Sequence, residues 1–244
     1  MKNNIKIWQY NNFSISYIEN YDGGGRYLSP YISDFIRKYA FFKNKNVKAF
    51  EWCSGFGFIG FALLSEGLCN DLCLADINPW TIKCIKKTIY ENRLEDKVSC
   101  YLSDNFQEIP TSESFDLVIA NPPNFYIENS DRLSLCSCDN EWKLHRSFYS
   151  NIINYLEPDG LICISEVEPY MRYVFFKNKK KLYDIRPTCP IDEFKRMINE
   201  NGLTFVDAIP YATLEEGFKM WMVISKKKKA DKITKNYIIN KKYS

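Results

Sequence analysis

Between about residue 47 and residue 225 the chain repeats one pattern: a short apolar run, a turn, an amphipathic stretch, and another turn. Val47–Glu51, Asp71–Ala75, Lys97–Leu102, Phe115–Ala120 and Leu161–Ser165 read as strands, because each is short, apolar and bounded by polar or turn-forming residues. The segment after Gly60, then Thr81–Glu91, Glu141–Leu156 and Pro190–Asn201 read as helices, the third of them stopped by Glu157-Pro158-Asp159-Gly160. Leu203–Ala208 and Lys219–Ser225 close the series as an antiparallel pair. Strands alternating with helices predict an α/β fold, a doubly wound, mostly parallel seven-stranded sheet whose ligands lie at the carboxyl ends of the strands.

Ahead of this region, Ile5–Trp8 and Phe13–Tyr17 alternate around Asn11-Asn12 and predict a hairpin. Gly23-Gly24-Gly25 breaks the chain, and Ser29-Pro30 then opens a predicted helix to about Phe42, with proline at the first helical position. The expected organisation is therefore a hairpin and helix extension over residues 1–46, a core over 47–225, and a tail over 226–244. Asp22 and the three glycines are placed to form a lid, since glycine-rich segments move readily; a plain turn is the alternative.

Composition narrows the classes. The net charge of +3 conceals an uneven distribution: residues 226–244 hold eight lysines and one acid, which leaves 25 basic against 29 acidic groups in the rest, or −4. A mildly acidic body lacks the basic face of an extended nucleic-acid footprint, so the lysine tail is the one compositional hint of phosphate binding, and a solvated terminus explains it as well. No apolar stretch reaches the roughly 18 residues that a membrane span needs, and the start, Met1-Lys2-Asn3-Asn4, lacks a signal-peptide core; a cytoplasmic location is expected. The nine cysteines fall mostly within predicted elements, as small hydrophobes. Cys136-Ser137-Cys138 has no matching second pair, so no metal site is expected.

Two segments carry chemistry. Gly55-Phe56-Gly57-Phe58-Ile59-Gly60 follows a strand and leads into a helix, where glycines allow close backbone approach to a ligand. The spacing satisfies a dinucleotide fingerprint, and it also occurs in ordinary tight turns. Asp76 ends the second strand about twenty residues later, where a carboxylate can accept both hydroxyls of a ribose or cap the helix that begins at Pro79. Asp104, after the third strand, suits an adenine amino group or an ordinary loop equally. Asn121-Pro122-Pro123, at the end of Phe115–Ala120, gathers acceptors at one rigid place, because proline fixes φ and has no N–H.

In this order the residues resemble the class I S-adenosylmethionine-dependent methyltransferases over roughly residues 47–225. Glu51-Trp52-Cys53-Ser54-Gly55-Phe56-Gly57 is similar to that family's first motif, with Glu where Asp is usual. Asp76 with Ile77 matches the ribose-binding position, Ser103-Asp104-Asn105 the adenine-contacting turn, and Asn121-Pro122-Pro123 the motif of the N-methyltransferases, the glutamine-amide and adenine-amino enzymes among them. The resemblance implies a Rossmann-like fold, S-adenosyl-L-methionine as cofactor, and Glu51, Gly55, Gly57, Asp76, Ile77, Asp104, Asn105 and Asn121 as its site. A nicotinamide dehydrogenase would account for the glycines and Asp76 but not for Asn-Pro-Pro.

Methyl transfer is an in-line displacement, so the enzyme chiefly aligns a lone pair with the methyl group. The Asn121 side-chain oxygen and the Pro122 carbonyl can accept two N–H bonds of a planar nitrogen and stabilise the charge that develops on it. The family usually places an aromatic residue after the two prolines, and this chain has Asn124, which suits an amide, imidazole or guanidine better than a flat base; Phe125 or Tyr126 can supply a ring from a shifted position. Glu166 and Glu168, read as following the fifth strand, can orient such a substrate or simply be solvated. His145 begins no metal motif and reads as a packing or capping residue rather than a base.

Three readings follow. The first is N-methylation of a protein side chain or small metabolite. The second is methylation of adenine N6 in RNA or DNA, which ranks lower on charge and on Asn124. The third is a non-catalytic cofactor-binding protein, which would not require the substrate-side acceptors.

Overall fold

A computed structural model describes residues 4–39, 46–125, 137–169, 172–177, 180–214, 217 and 219–228. In chain order its elements are β1 (Lys6–Tyr10), β2 (Phe13–Tyr17), α1 (Gly25–Tyr39), β3 (Lys48–Trp52), α2 (Phe58–Ser65), β4 (Asp71–Asp76), α3 (Pro79–Asn92), β5 (Val98–Leu102), β6 (Phe115–Ala120), α4 (Lys143–Asn151), β7 (Leu156–Val167), β8 (Arg172–Lys177), β9 (Lys180–Pro187), α5 (Ile191–Glu200), β10 (Leu203–Thr213) and β11 (Lys219–Lys227). Seven strands form one sheet in the order β10-β11-β7-β6-β3-β4-β5. β3, β4, β5, β6 and β7 pair in parallel, whereas β11 is antiparallel to both β7 and β10. The expected Rossmann-like sheet is therefore present. After β3 the chain builds outward through β4 to β5, then crosses back to place β6 on the other side of β3; a ligand crevice opens where the order reverses.

The alternation within β3 shows how the sheet divides its neighbours. Ala49 joins the core beneath α1, α2 and α3, with Ile32, Ile59, Leu63 and Ile85. Phe50 and Trp52 point to the opposite face, with Phe148, Phe194 and Ile198 of α4 and α5. Trp52 stacks on Phe148 with ring centroids 4.1 Å apart, and Phe50 on Phe115 at 4.7 Å. Glu51, between them, takes the α2 side, and that choice of face matters below. The β1–β2 hairpin docks on α3 through polar contacts: the Asn92 Oδ1 accepts from Ser14 N at 2.9 Å, its Nδ2 donates to Ser14 O at 3.0 Å, and Thr88 Oγ1 accepts from Ser16 N at 2.9 Å.

Several boundaries differ from expectation. α1 begins at Gly25, so Pro30 lies inside the helix. Proline cannot donate to the Arg26 carbonyl, and Ser29 Oγ does so instead at 3.1 Å. The predicted helix Glu141–Leu156 is α4 with a 3-10 turn on each side. Leu156 already pairs with Phe115, while Leu161 pairs with residue 117, so 157–160 bulge out of β7 rather than preceding it. The β8–β9 hairpin has no counterpart in the sequence reading. β10 runs past Ala208 to Thr213 and carries Pro210, which an edge strand tolerates because one side of its ladder is unused. The predicted helix end at residues 40–42, the loop at 126–136 and the tail from 229 lie outside the described residues. No helix among the described residues is long and apolar enough to cross a membrane.

Candidate active site

Glu51 is the last charged residue of β3 and is 2% exposed. Its Oε2 accepts from Gly60 N at 2.7 Å, one turn into α2. The approach depends on glycine: a Cβ at position 60 would lie 2.8 Å from Glu51 Oε2 and 2.7 Å from Leu72 Cδ1. Burial pushes the Glu51 carboxyl up to about 8, against the backbone N–H groups of Gly60 and Ile59 that favour its charged form, and Asp76 adds to the rise. The turn between β3 and α2 uses the left-handed region three times, at Cys53 (φ 51°), Gly55 (φ 53°) and Gly57 (φ 76°). A Cβ at Gly57 would crowd Leu74 and Phe61 at 2.9 Å, so this glycine serves packing beneath the turn. At Gly55 a Cβ would meet no protein atom within 4 Å, and the space beside it is cavity.

That cavity has a volume of about 570 Å³ and spans the carboxyl ends of β3, β4, β5 and β6. At the end of β4, Asp76 accepts from Gly55 N and Asn78 N, both at 2.8 Å, and from Thr81 Oγ1 at 3.1 Å. Burial raises its pKa; the bonds from Asn78, Gly55 and Thr81 oppose the rise. Asp76 is therefore a ligand to the glycine turn as well as a wall of the cavity, and capping of α3 falls to Asn78, which accepts from Trp80 N at 3.0 Å. Ile77 is 65% exposed and offers an apolar shelf at the rim. Asp104 and Asn105 line the far end, Asn105 in the left-handed conformation (φ 56°). Ser54 Oγ and both amide atoms of Asn105 are buried without a hydrogen-bond partner. Such orphaned groups lining a cavity mark where polar atoms of a ligand belong.

On the other side Asn121 follows β6 and lines the cavity with Pro123, whereas Pro122 is buried outside the lining. Asn121 Nδ2 donates to the Gly23 carbonyl at 3.2 Å, which ties the segment before α1 across the opening. Asp22 holds that segment in shape: its Oδ1 accepts from Gly24 N at 3.0 Å and its Oδ2 from Arg26 Nε at 3.1 Å. Asp22, Gly23 and Gly25 line the cavity.

The structure brings together Glu51, Gly55, Asp76, Ile77, Asp104, Asn105, Asn121 and Pro123, and it places Gly57, Pro122, Asn124, Phe125, Glu166 and Glu168 outside that lining. Gly57 and Pro122 support the site from behind. Asn124 and Phe125 are 7% and 6% exposed and outside the lining; Phe125 packs into the core, its carbonyl accepting from Asp139 N at 2.8 Å. Tyr126 lies outside the described residues. Glu166 is not on a loop: it sits within β7, 1% exposed. Glu168 lies 3.5 Å from Lys219 Nζ, away from the cavity lining.

Glu166 belongs to a buried cluster that the sequence did not reveal. His145 Nε2 is 2.9 Å from Glu166 Oε1 and its Nδ1 is 2.7 Å from Asp139 Oδ2, all three residues being buried. Asp139 also caps α4, accepting from Leu144 N and His145 N at 2.9 and 3.0 Å. Burial opposes charge on the imidazole, but the carboxylates of Glu166 and Asp139 outweigh it and raise His145 to about 9. A neutral imidazole has one N–H, so it can serve only one of two carboxylates as donor. The stabilisation is complete below the unfolded value of about 6.5 and is lost as pH climbs through about 9. The thermal midpoint is therefore expected to fall between pH 6.5 and 9.5, and His145→Gln to flatten that slope. An unchanged slope in the variant would contradict a charged bridge.

Residues 39–136 match the family model Methyltransferase small domain. A bifunctional methyltransferase of Rickettsia typhi is 25% identical over 135 residues; the match covers 55% of this chain and 24% of that protein, so the chain spans about a quarter of that relative's length. Among solved structures, the M. jannaschii tRNA m1G37 methyltransferase superposes with a TM-score of 0.57 at 14% identity, over 94% of this chain and 59% of the other. The glycopeptide N-methyltransferase MtfA, in complex with S-adenosyl-L-methionine, gives 0.57 at 14% identity, over 82% and 93%. At such identities the likeness concerns the fold.

Proposed function

We propose that this chain is an S-adenosylmethionine-dependent methyltransferase and that it methylates a nitrogen of a protein side chain or small metabolite, of amide, guanidine or imidazole type; the family-model match over residues 39–136 and the shared fold support the reading. The observation that carries the reading is the charge of the cavity. Among the described residues its lining includes the carboxyls of Asp22, Asp76 and Asp104 and no lysine or arginine, and Glu51, raised to about 8, adds its charge once a cation lies beside it. Such a wall suits a ligand bearing a sulfonium and an ammonium, and it repels the pyrophosphate of a dinucleotide. The orphaned Ser54 hydroxyl and Asn105 amide and the open space beside Gly55 fit the cofactor's polar atoms and bulk.

S-adenosyl-L-methionine supplies an electrophilic methyl group when bound. Asp76 holds the ribose diol while it fixes the Gly55 turn; Asp104 and Asn105 receive the adenine edge, with Ile77 as an apolar shelf. Gly23 and Asn121 close the opening and exclude water. Asn121 Oδ1 accepts an N–H bond of the substrate nitrogen, holds its lone pair in line, and stabilises the charge that grows on it, while Pro122, buried behind the lining, keeps the Asn121 backbone in place. Asn124 stands where the family usually has an aromatic residue and is buried outside the lining, so among the described residues none after the two prolines is placed to stack on a flat base, and adenine methylation ranks second.

The test is titration of the protein with S-adenosylmethionine, S-adenosylhomocysteine and NAD, followed by labelled-methyl transfer to fractionated protein, RNA and small-molecule pools. Label entering the protein or small-molecule pool supports the reading. Binding of NAD alone would overturn it, and label confined to RNA would replace it with the second. Glu51 adds a linked expectation. With its carboxyl at about 8, an ammonium placed beside it draws off a proton, so binding at pH 7 should release part of a proton. Binding enthalpies that do not vary between buffers of different ionisation enthalpy would remove Glu51 from that contact.

A further inference from the structure

An asparagine amide can present either its oxygen or its nitrogen after a half-turn about its terminal bond. A substrate N–H needs the oxygen, and a flipped Asn121 would meet it with a second donor. The proposed methyl transfer therefore depends on something that holds the amide one way round. Gly23 does half of this: a carbonyl can only accept, so at 3.2 Å it fixes Nδ2. The other half comes from the sheet. Ser165 Oγ donates to Asn121 Oδ1 across 3.4 Å, and the Tyr211 hydroxyl lies 2.7 Å from Ser165 Oγ.

A serine hydroxyl has one hydrogen. If Ser165 gives it to Asn121, its contact with Tyr211 must run the other way, so the chain reads Tyr211 O–H to Ser165 O–H to the Asn121 oxygen. Donors in series polarise one another, and the amide oxygen retains a second lone pair for the substrate. The surroundings favour this direction. Ser165 is fully buried, and burial pushes the Tyr211 phenol up, keeping it a neutral donor.

Backbone geometry supplies an independent reason to connect Tyr211 with the site. Ser165 sits on β7 opposite Met222 of β11, and Tyr211 must reach it from β10, one strand further out. The β10–β11 register pairs Pro210 with Trp221 and Ala212 with Met220, which leaves Tyr211 as the extra residue of a β-bulge. Bulges re-aim side chains, and they collect beside active sites. Phe35 of α1 meets the Tyr211 ring edge-on at 6.0 Å, so the helix that follows Gly23 also braces the tyrosine.

We infer that Tyr211 and Ser165 are positioning residues that, together with the Gly23 carbonyl, orient the Asn121 amide for the substrate nitrogen. The inference rests on the proposed N-methylation by this site.

Two measurements on the full chain test it separately from that reading. The first follows the Asn121 side-chain NH₂ signals by NMR, assigned through Asn121→Asp, in wild type, Tyr211→Phe and Ser165→Ala. Fixed signals in wild type that shift or broaden in both variants are expected; signals unchanged in both variants would overturn the network, whether or not any substrate is known. The second uses the pool that accepts label. Tyr211→Phe and Ser165→Ala should each lower kcat about tenfold while leaving KM for S-adenosylmethionine within about twofold, a split that general loosening of the fold would not give. Equal kcat in variants and wild type would overturn the positioning role even if the amide signals move. If wild type labels no pool, the methyl-transfer reading fails, and the NMR measurement still decides whether the network exists.

Discussion

Asn121→Ala is expected to lower methyl transfer by two or more orders of magnitude, a loss of about 3 kcal/mol of transition-state stabilisation, with a much smaller effect on cofactor affinity. The asymmetry follows from what the side chain touches. Its oxygen is the acceptor for the substrate nitrogen in the proposed reaction, and its nitrogen makes one neutral bond, to the Gly23 carbonyl across the opening. Loss of that bond frees one contact of the cover, a net effect on the order of 1 kcal/mol on whatever lies beneath. Asn121→Asp separates the two functions: it keeps an oxygen toward the substrate but sets a second oxygen against the Gly23 carbonyl. Single-turnover rates with labelled cofactor, beside dissociation constants from titration, measure both. Turnover at the wild-type rate in Asn121→Ala would remove this residue from the chemistry.

Asp76→Ala should act the other way round, weakening S-adenosylmethionine binding by roughly two orders of magnitude before it alters the chemical step, the scale of hydrogen bonds to a charged group. Two contributions combine. One is the proposed contact with the ribose hydroxyls. The other is internal: the carboxylate holds Gly55 N and Asn78 N at 2.8 Å, and without it the glycine turn loses its tie to β4. Asp76→Asn distinguishes them, because an amide keeps one acceptor for a backbone N–H but turns a donor toward the other. If titration gives the wild-type dissociation constant for Asp76→Ala, the ribose role is wrong.

Both expectations concern residues that were legible without coordinates, for a common reason. Residues at strand ends in a parallel sheet are placed by topology, and topology follows from local signals. The runs at Val47–Glu51, Asp71–Ala75 and Phe115–Ala120 identify strands by apolar pattern, and the residue after each run lands at the carboxyl edge. Glu51, Gly55, Asp76, Asp104 and Asn121 could thus be assigned to one crevice. Where local signals conflict with tertiary context the expectation failed. Pro30 suggested a helix start, yet Ser29 Oγ satisfies the freed carbonyl and the helix begins at Gly25. The predicted strand stopped at Ala208, yet β10 lies at the sheet edge and continues through Pro210 to Thr213.

The sequence by itself determined the order of the seven strands of the main sheet and the helices between them, the charge of the body, and most of the groups at the crevice, because each depends on residues within a few positions of one another. Only the tertiary structure decided which of those groups face the cavity. Glu166 and Glu168 differ by two positions, but one is sealed against His145 and the other pairs with Lys219, since strand extension and cross-sheet partners are not encoded locally. The pairing of Asp139 with His145, the reach of Tyr211 to Ser165 through a bulge, and the tie from Asn121 to Gly23 each join residues that lie close only after the sheet has closed. A hydrogen bond between elements distant in sequence leaves no periodicity to read; it exists because burial removes water as the competing partner, and that depends on the whole fold.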